Sequence, residues 1–309
     1  MVHMKAFTRT MTPSRTRPTT TLSSSPRRHP APPRATPFRP DATYLDYTPT
    51  SVRLGQSDLV VPDICLGTMT WGKQNSEAEA HEQLSFAKDL GLTFLDTAEI
   101  YPVPTEPETQ GRTEEYIGTW MKQNASSFSR DAVTIATKVA GYSPRLGYLR
   151  EDGRGTRVTA RDMEEALEKS LLRLGTDYVD LYQIHWPDRA VPLWGGDSFD
   201  PADAAGREDP VPWEEQLEGL YRLTKAGKIR AVGVSNETSY GVSAIVHAAQ
   251  RSKDLPRVAT IQNQFHLLSR GFKDSLAETC HELDVTLLPY SPLAGGVLTG
   301  KYQNGKVRG

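Results

Sequence analysis

Thr93-Phe94-Leu95-Asp96-Thr97-Ala98-Glu99-Ile100-Tyr101 is the stretch that decides how this chain folds. Thr93-Phe94-Leu95 reads as a short buried strand, with Asp96 at its carboxyl end and Tyr101 in the loop beyond. Two later stretches repeat the arrangement. Val133-Thr134-Ile135-Ala136-Thr137 stops at Lys138, and Val179-Asp180-Leu181-Tyr182-Gln183-Ile184 stops at His185. Where strands and helices alternate around a barrel, chemistry is carried at the carboxyl ends of the strands. The pattern therefore predicts that Asp96, Tyr101, Lys138 and His185 meet at one mouth.

Working outward, Tyr44 to Pro62 reads as a hairpin that plugs the closed end. Ile64-Cys65-Leu66 is the first barrel strand, followed by Gly67-Thr68-Met69-Thr70-Trp71-Gly72. Ser76 and Glu79 have the spacing of a capping box, and the helix they open carries Ala80, Leu84 and Ala87 on one face before Gly91. Beyond Tyr101 a helix is expected from Thr113 to Gln123. A polar, Gly- and Arg-rich loop then runs from Gly141 to Arg157. Thr159 caps a helix to Leu174, with Met163, Ala166, Leu167, Ser170, Leu171 and Leu174 inward. Residues 187–211 form a long irregular loop, and loops of that length are usually functional or disordered. A helix from Pro212-Trp213-Glu214-Glu215 to Ala226-Gly227 leads to a fifth strand, Ile229 to Val234, ending at Ser235-Asn236. A helix from Gly241 to Arg251 follows. A sixth strand, Ala259-Thr260-Ile261, ends at Gln262. Phe272 to Leu283 is helical, and a seventh strand, Val285 to Leu288, ends at Tyr290. This alternation argues for a parallel α/β barrel. An eighth strand and helix are not found before Gly309, so about seven strands are expected where closure takes eight.

The 309 residues suffice for one large α/β domain. A mean hydropathy of -0.51 predicts a soluble chain, and no apolar run approaches the ~20 residues that span a bilayer. Only Cys65 and Cys280 are present, which argues against a disulfide framework and for a reducing compartment. The seven histidines form no i, i+4 pair and neither cysteine lies in a C-x-x-C motif, so no metal site is expected. Net charge is -2, yet residues 1–40 hold eight bases and no acid. That leaves 28 of the 36 bases against all 38 acids in the body, which gives no sign of a nucleic-acid surface. Residues 1–42, rich in Arg, Ser, Thr and Pro, are expected to be disordered. They read as a transit peptide, plastid rather than mitochondrial, with a dispensable tail or a basic arm as the rival readings. A cytoplasmic location goes with those rivals. The barrel domain is then 43–309.

With Leu66-Gly67-Thr68-Met69, Gly233-Val234-Ser235-Asn236 and Tyr290-Ser291-Pro292-Leu293, the four strand-end residues resemble the aldo-keto reductases. The loop from Tyr101-Pro102-Val103-Pro104 to Glu108-Thr109-Gln110-Gly111 is similar to that of the tas-type branch. The resemblance runs from about Tyr44 onward. It implies a (β/α)8 barrel whose C-terminal βα unit is missing here, together with the basic loop that grips an adenosine 2′-phosphate. It also implies NADPH-dependent reduction of a small-molecule aldehyde or ketone, with Asp96, Tyr101, Lys138 and His185 as the catalytic set.

The residue types suit that chemistry. A free phenol, with a pKa of about 10, is a sluggish acid near neutrality. A neighbouring ammonium, Lys138, is expected to bring the Tyr101 pKa down. Asp96 can hold that ammonium, and His185 can orient the substrate oxygen. For a cofactor, Ser235, Asn236 and Gln262 offer a carboxamide its donors and acceptors. Tyr290 offers a face for a ring, and the turn through Ser291, Pro292, Leu293, Gly295 and Gly296 offers backbone N–H groups. The resemblance assigns these to NADP(H), adds Lys301 near the pyrophosphate and Thr68 and Met69 beside the ribose, and counts Asp96 in this site too. No G-x-G-x-x-G follows an early strand, so a Rossmann site is not supported. Trp71, Trp186 and Trp194 suit either an apolar substrate pocket or core packing. Two rival functions remain: an NADPH-binding regulatory subunit like those of potassium channels, and an inactive truncated product.

Overall fold

A computed structural model describes residues 47–194, 196 and 198–303. The expected transit peptide lies outside them. The chain opens with a hairpin of β1, Ser51–Arg53, and β2, Val60–Pro62, paired antiparallel. Seven parallel strands follow in the order β3 Cys65–Gly67, β4 Phe94–Asp96, β5 Thr134–Val139, β6 Val179–Ile184, β7 Ile229–Ser235, β8 Val258–Gln264 and β9 Thr286–Tyr290. Each strand pairs with its neighbours in sequence, and among the described residues no pairing joins β3 to β9.

Helices fill the crossovers: α1 Glu77–Asp89, α2 Arg112–Asn124, α3 Ala160–Leu174, α4 Trp213–Lys225, α5 Ser239–Gln250 and α6 Leu276–Leu283. The capping box at Ser76 and Glu79 forms in full, and Thr159 accepts the Asp162 N–H to cap α3. Gly175 ends α3 at φ 65°, a left-handed turn that glycine adopts at no steric cost. α6 begins four residues later than its sequence pattern, because Gly271–Lys273 turns as a separate 3-10 segment. α5 begins earlier than expected, since Thr238 caps it by accepting the Gly241 N–H. No described helix is long and apolar enough to cross a membrane.

Strand alternation sorts the core into two layers. Ile135, Val139, Tyr182, Ile184, Val232, Val234 and Ile261 face outward beneath the helices, with Met163, Ala166, Leu167, Leu171 and Leu174 of α3. Phe94, Ala136, Leu181, Ala231 and Ala259 face inward and meet Leu54 and Val61 of the hairpin. Each Val, Leu, Ile, Phe or Met among them, taken fully from water, contributes about 1.5–3 kcal/mol before entropy is counted. The hairpin therefore plugs the amino end of the sheet, as its sequence implied. Gly55 lets it seat: a Cβ there would lie 2.6 Å from Ala259 O, and its φ is +49°. With that end sealed by apolar side chains, the inward positions nearer the carboxyl ends are left for polar groups.

Candidate active site

Parity along three strands gathers the polar groups. In β5 the inward positions are Ala136 and Lys138. In β6 they are Leu181 and Gln183, and His185 continues that face beyond the strand. β4 ends on Asp96, and five residues later Tyr101 returns over the same rim. Lys138 is fully buried, and its ammonium donates to Asp96 Oδ2 at 2.7 Å, Thr97 O at 2.9 Å and Tyr101 Oη at 3.3 Å. Three acceptors use all three of its protons. Because Lys138 donates to the phenol oxygen, the phenol proton is free to point elsewhere. The His185 ring stands nearly perpendicular to that of Tyr101, at 81° and 5.6 Å between centroids. No hydrogen bond among the described residues engages either His185 ring nitrogen, and Nδ1 is buried without a partner.

Burial governs the protonation states. It presses against the Lys138 ammonium, but Asp96 and Tyr101 beside it outweigh that cost and raise its pKa above the ordinary lysine value. Burial, helped by the Lys138 charge, pushes His185 well below the usual histidine range, so its ring is neutral at pH 7. Tyr101 departs from the sequence expectation. Burial raises its phenol above the ordinary value, and Lys138 offsets this only in part. The lysine also carries Asp96 with it, and that carboxylate works against the phenolate. The result is a phenol that keeps its proton at neutral pH.

The residues expected to hold a cofactor lie on the same rim, already engaged with one another. Thr68 donates its hydroxyl to Asp96 O at 2.8 Å. Ser235 donates to Gln262 O at 2.7 Å, and Gln262 Nε2 donates to Asp96 Oδ1 at 2.7 Å. Asn236 Nδ2 donates to His185 O at 2.9 Å, while Asn236 Oδ1 accepts the Tyr290 hydroxyl at 2.8 Å. Met69 is partly exposed in the loop after β3, and its carbonyl accepts the Val103 N–H at 3.0 Å. Ser291, Pro292, Leu293 and Gly295 form the turn after β9. Ser291, Ala294, Gly295 and Gly296 all have positive φ there, between 50° and 92°. Lys301 folds back over this turn: a Cβ on Gly296 would lie 2.8 Å from Lys301 Nζ. A backbone turn with an ammonium against its glycine fits a phosphate group.

Of the three tryptophans, Trp71 belongs to the outer core; it is 1% exposed and its Nε1 donates to Gln83 Oε1. Trp186 and Trp194 flank His185, at centroid distances of 5.1 and 6.3 Å. Trp194, 61% exposed, comes from the long loop after β6.

Several participants were missed in the sequence. Gln183 donates to Asp96 Oδ1 at 3.3 Å; a glutamine two residues before His185 in an apolar strand, on the same face, was the available signal. Arginine–carboxylate pairs also tie successive rim loops together. Arg150 grips Glu99, Arg157 grips Asp188, and Arg189 grips Glu237. Nothing local in the sequence marks those partners.

A model of the aldo/keto reductase family matches residues 63–308. Protein tas of Escherichia coli (strain K12) is 46% identical over 257 residues, covering 82% of this chain and 70% of that one. Pyridoxal reductase, chloroplastic, of Arabidopsis thaliana is 29% identical over 283 residues, covering 88% and 67%. A crystal structure of a thermostable aldo-keto reductase in complex with the inhibitor epalrestat superposes with a TM-score of 0.58 at 30% identity, covering 80% of this chain and 74% of that one.

Proposed function

The chain belongs to the aldo/keto reductase family of oxidoreductases, and from that premise we propose that it reduces an aldehyde or ketone to the alcohol with NADPH, Tyr101 giving the proton. One hydrogen bond carries the proposal: the Lys138 ammonium donates to the Tyr101 oxygen at 3.3 Å inside a buried, polar cluster. A reduced nicotinamide, when bound, supplies the hydride.

The chain's own groups do the rest. Tyr101 holds its proton because it is buried, and a carbonyl oxygen gaining negative charge draws that proton away. Lys138 stabilises the phenolate left behind. Asp96, fixed by Gln183 and Gln262, keeps the Lys138 ammonium charged and in place. Neutral His185 offers a ring nitrogen to the same carbonyl oxygen and orients it without adding a charge. Trp186 and Trp194 keep water from one side of that oxygen. Gln262, Asn236 and Tyr290 border the ring site. The Ser291–Gly296 turn and Lys301 would hold the cofactor's pyrophosphate, and Thr68 and Met69 would border its ribose.

The test is the purified chain with NADPH and a panel of small aldehydes and ketones, following NADPH loss and alcohol product together. Saturable NADPH binding with no carbonyl reduced would contradict the proposal; a lower KM for NADH would remove its choice of cofactor. We also propose residues 1–42 as a plastid transit peptide, on composition and on the chloroplastic relative's printed name. Fused to a fluorescent protein, they should direct it to plastids, and a diffuse signal would contradict this.

A further inference from the structure

We propose that Glu99 and Arg150 form a clamp that sets the position of the Tyr101 hydroxyl over Lys138, so that both are positioning residues for the proton transfer. This deepens the reductase reading and rests on it. Glu99 lies between Asp96 and Tyr101 and grips β5 twice. Its backbone N–H donates to Lys138 O at 3.2 Å, and its Oε1 accepts the Ala140 N–H at 2.7 Å. Glu99 thus brackets the chain on either side of Val139, immediately beyond the lysine. Arg150 arrives from the loop after β5 and closes on the carboxylate with two parallel bonds, Nη1 to Oε2 at 2.8 Å and Nη2 to Oε1 at 3.0 Å. Both residues are buried, at 1% and 3% exposure. Leu149, next to Arg150, packs with Ala98, Ile100, Tyr101, Ala140 and Trp186. The clamp thereby presses an apolar wall into the cluster that holds the Tyr101 ring.

An apolar pair of similar volume would hold this loop at least as firmly, because burying two charges is costly. What the bidentate pair adds is a fixed direction. Direction matters here because the Lys138–Tyr101 bond is already long, at 3.3 Å. A small outward shift of residues 99–101 breaks it.

The experiment compares the parent chain with Glu99→Gln, Arg150→Lys and Asp180→Asn. Asp180 is a buried control at the amino end of β6, where it accepts from Arg130 at 2.8 Å and from the Ile135 N–H at 3.0 Å. Glu99→Gln should lower kcat by up to about 100-fold, the loss that misplacing a reacting group by about 1 Å can cause. Arg150→Lys, which cannot supply the fork, should lower it about tenfold. In both, NADPH Kd should stay within about twofold, because neither side chain borders the cofactor residues. Asp180→Asn should lower Tm yet leave kcat nearly unchanged. Tyrosine labelled with carbon-13 at Cζ, assigned with Tyr101→Phe, reports the phenol by NMR without turnover. Its Tyr101 resonance should move toward the exposed-tyrosine position in Glu99→Gln. Equal kcat losses in all three variants, or a kcat loss with the Tyr101 resonance unmoved, would overturn the clamp. A parent chain that reduces no carbonyl overturns the reductase reading instead, and the NMR comparison still decides the clamp.

Discussion

Removing the Lys138 charge should cost stability, and removing Asp96 as well should add little to that cost. Lys138→Met keeps most of the side-chain volume but takes a donor from Asp96 Oδ2, Thr97 O and Tyr101 Oη at once. What remains is a buried carboxylate with no counter-charge. Breaking one partner out of a buried pair costs about 3–5 kcal/mol. Asp96 Oδ1 keeps its bonds from Gln262 and Gln183, so the low end, about 3 kcal/mol, is expected. Asp96→Asn strands the Lys138 ammonium in the same way and should cost a similar amount. The double variant buries neither charge, and its loss should fall short of the sum of the singles by about 2–3 kcal/mol. Urea unfolding of the four chains at pH 7 measures this, provided their slopes against urea agree. Losses that add to within about 0.5 kcal/mol would refute the pairing as an energetic unit.

His185 should make the protein acid-sensitive in a defined window. Its folded pKa is well below the ordinary 6.5, so the unfolded chain binds the extra proton and stability falls as pH drops through 6.5. Between pH 7.5 and 5.5 the chain should lose on the order of 1 kcal/mol more than a His185→Gln variant, and equal losses would contradict the buried neutral ring. Lys301→Met should weaken NADPH about tenfold, a typical loss for one charge-assisted contact, while the rate at saturating NADPH holds. Fluorescence titration checks the first and steady-state kinetics the second. Gly55→Ala should destabilise by about 1–3 kcal/mol, through positive φ and the clash with Ala259 O, with KM unchanged. Thermal unfolding beside a kinetic assay reads both.

The strand-end residues were legible because each sits where a buried run meets a polar group, and strand parity then decides which side chains share a face. Asp96, Lys138 and His185 needed no more than that. Tyr101 needed in addition that the loop after β4 turn back over the rim, which its place five residues beyond the strand-end acid allowed, and the family resemblance agreed with it. Gln183 obeys the same parity rule as His185 and could have been read in advance. The Glu99–Arg150 pair could not, since 51 residues separate two charges whose meeting depends on how a Gly- and Arg-rich loop closes. Trp71 shows the reverse difficulty: a tryptophan beside a strand end suits a pocket or a core equally, and only the packing of α1 and α2 around it settles on the core. The direction of the Tyr101 pKa is not legible in the sequence, which shows that a lysine is near but not how much water the fold removes.

Single-turnover mixing of carbonyl substrate with NADPH-loaded protein tests the role of Tyr101 most directly. Tyr101→Phe keeps the buried ring and removes only the hydroxyl. It should bind NADPH with unchanged Kd and transfer no detectable hydride, while the parent chain completes the turnover. Hydride transfer by Tyr101→Phe at the parent rate would show that the proton comes from elsewhere, and loss of NADPH binding together with turnover would contradict a role confined to giving the proton.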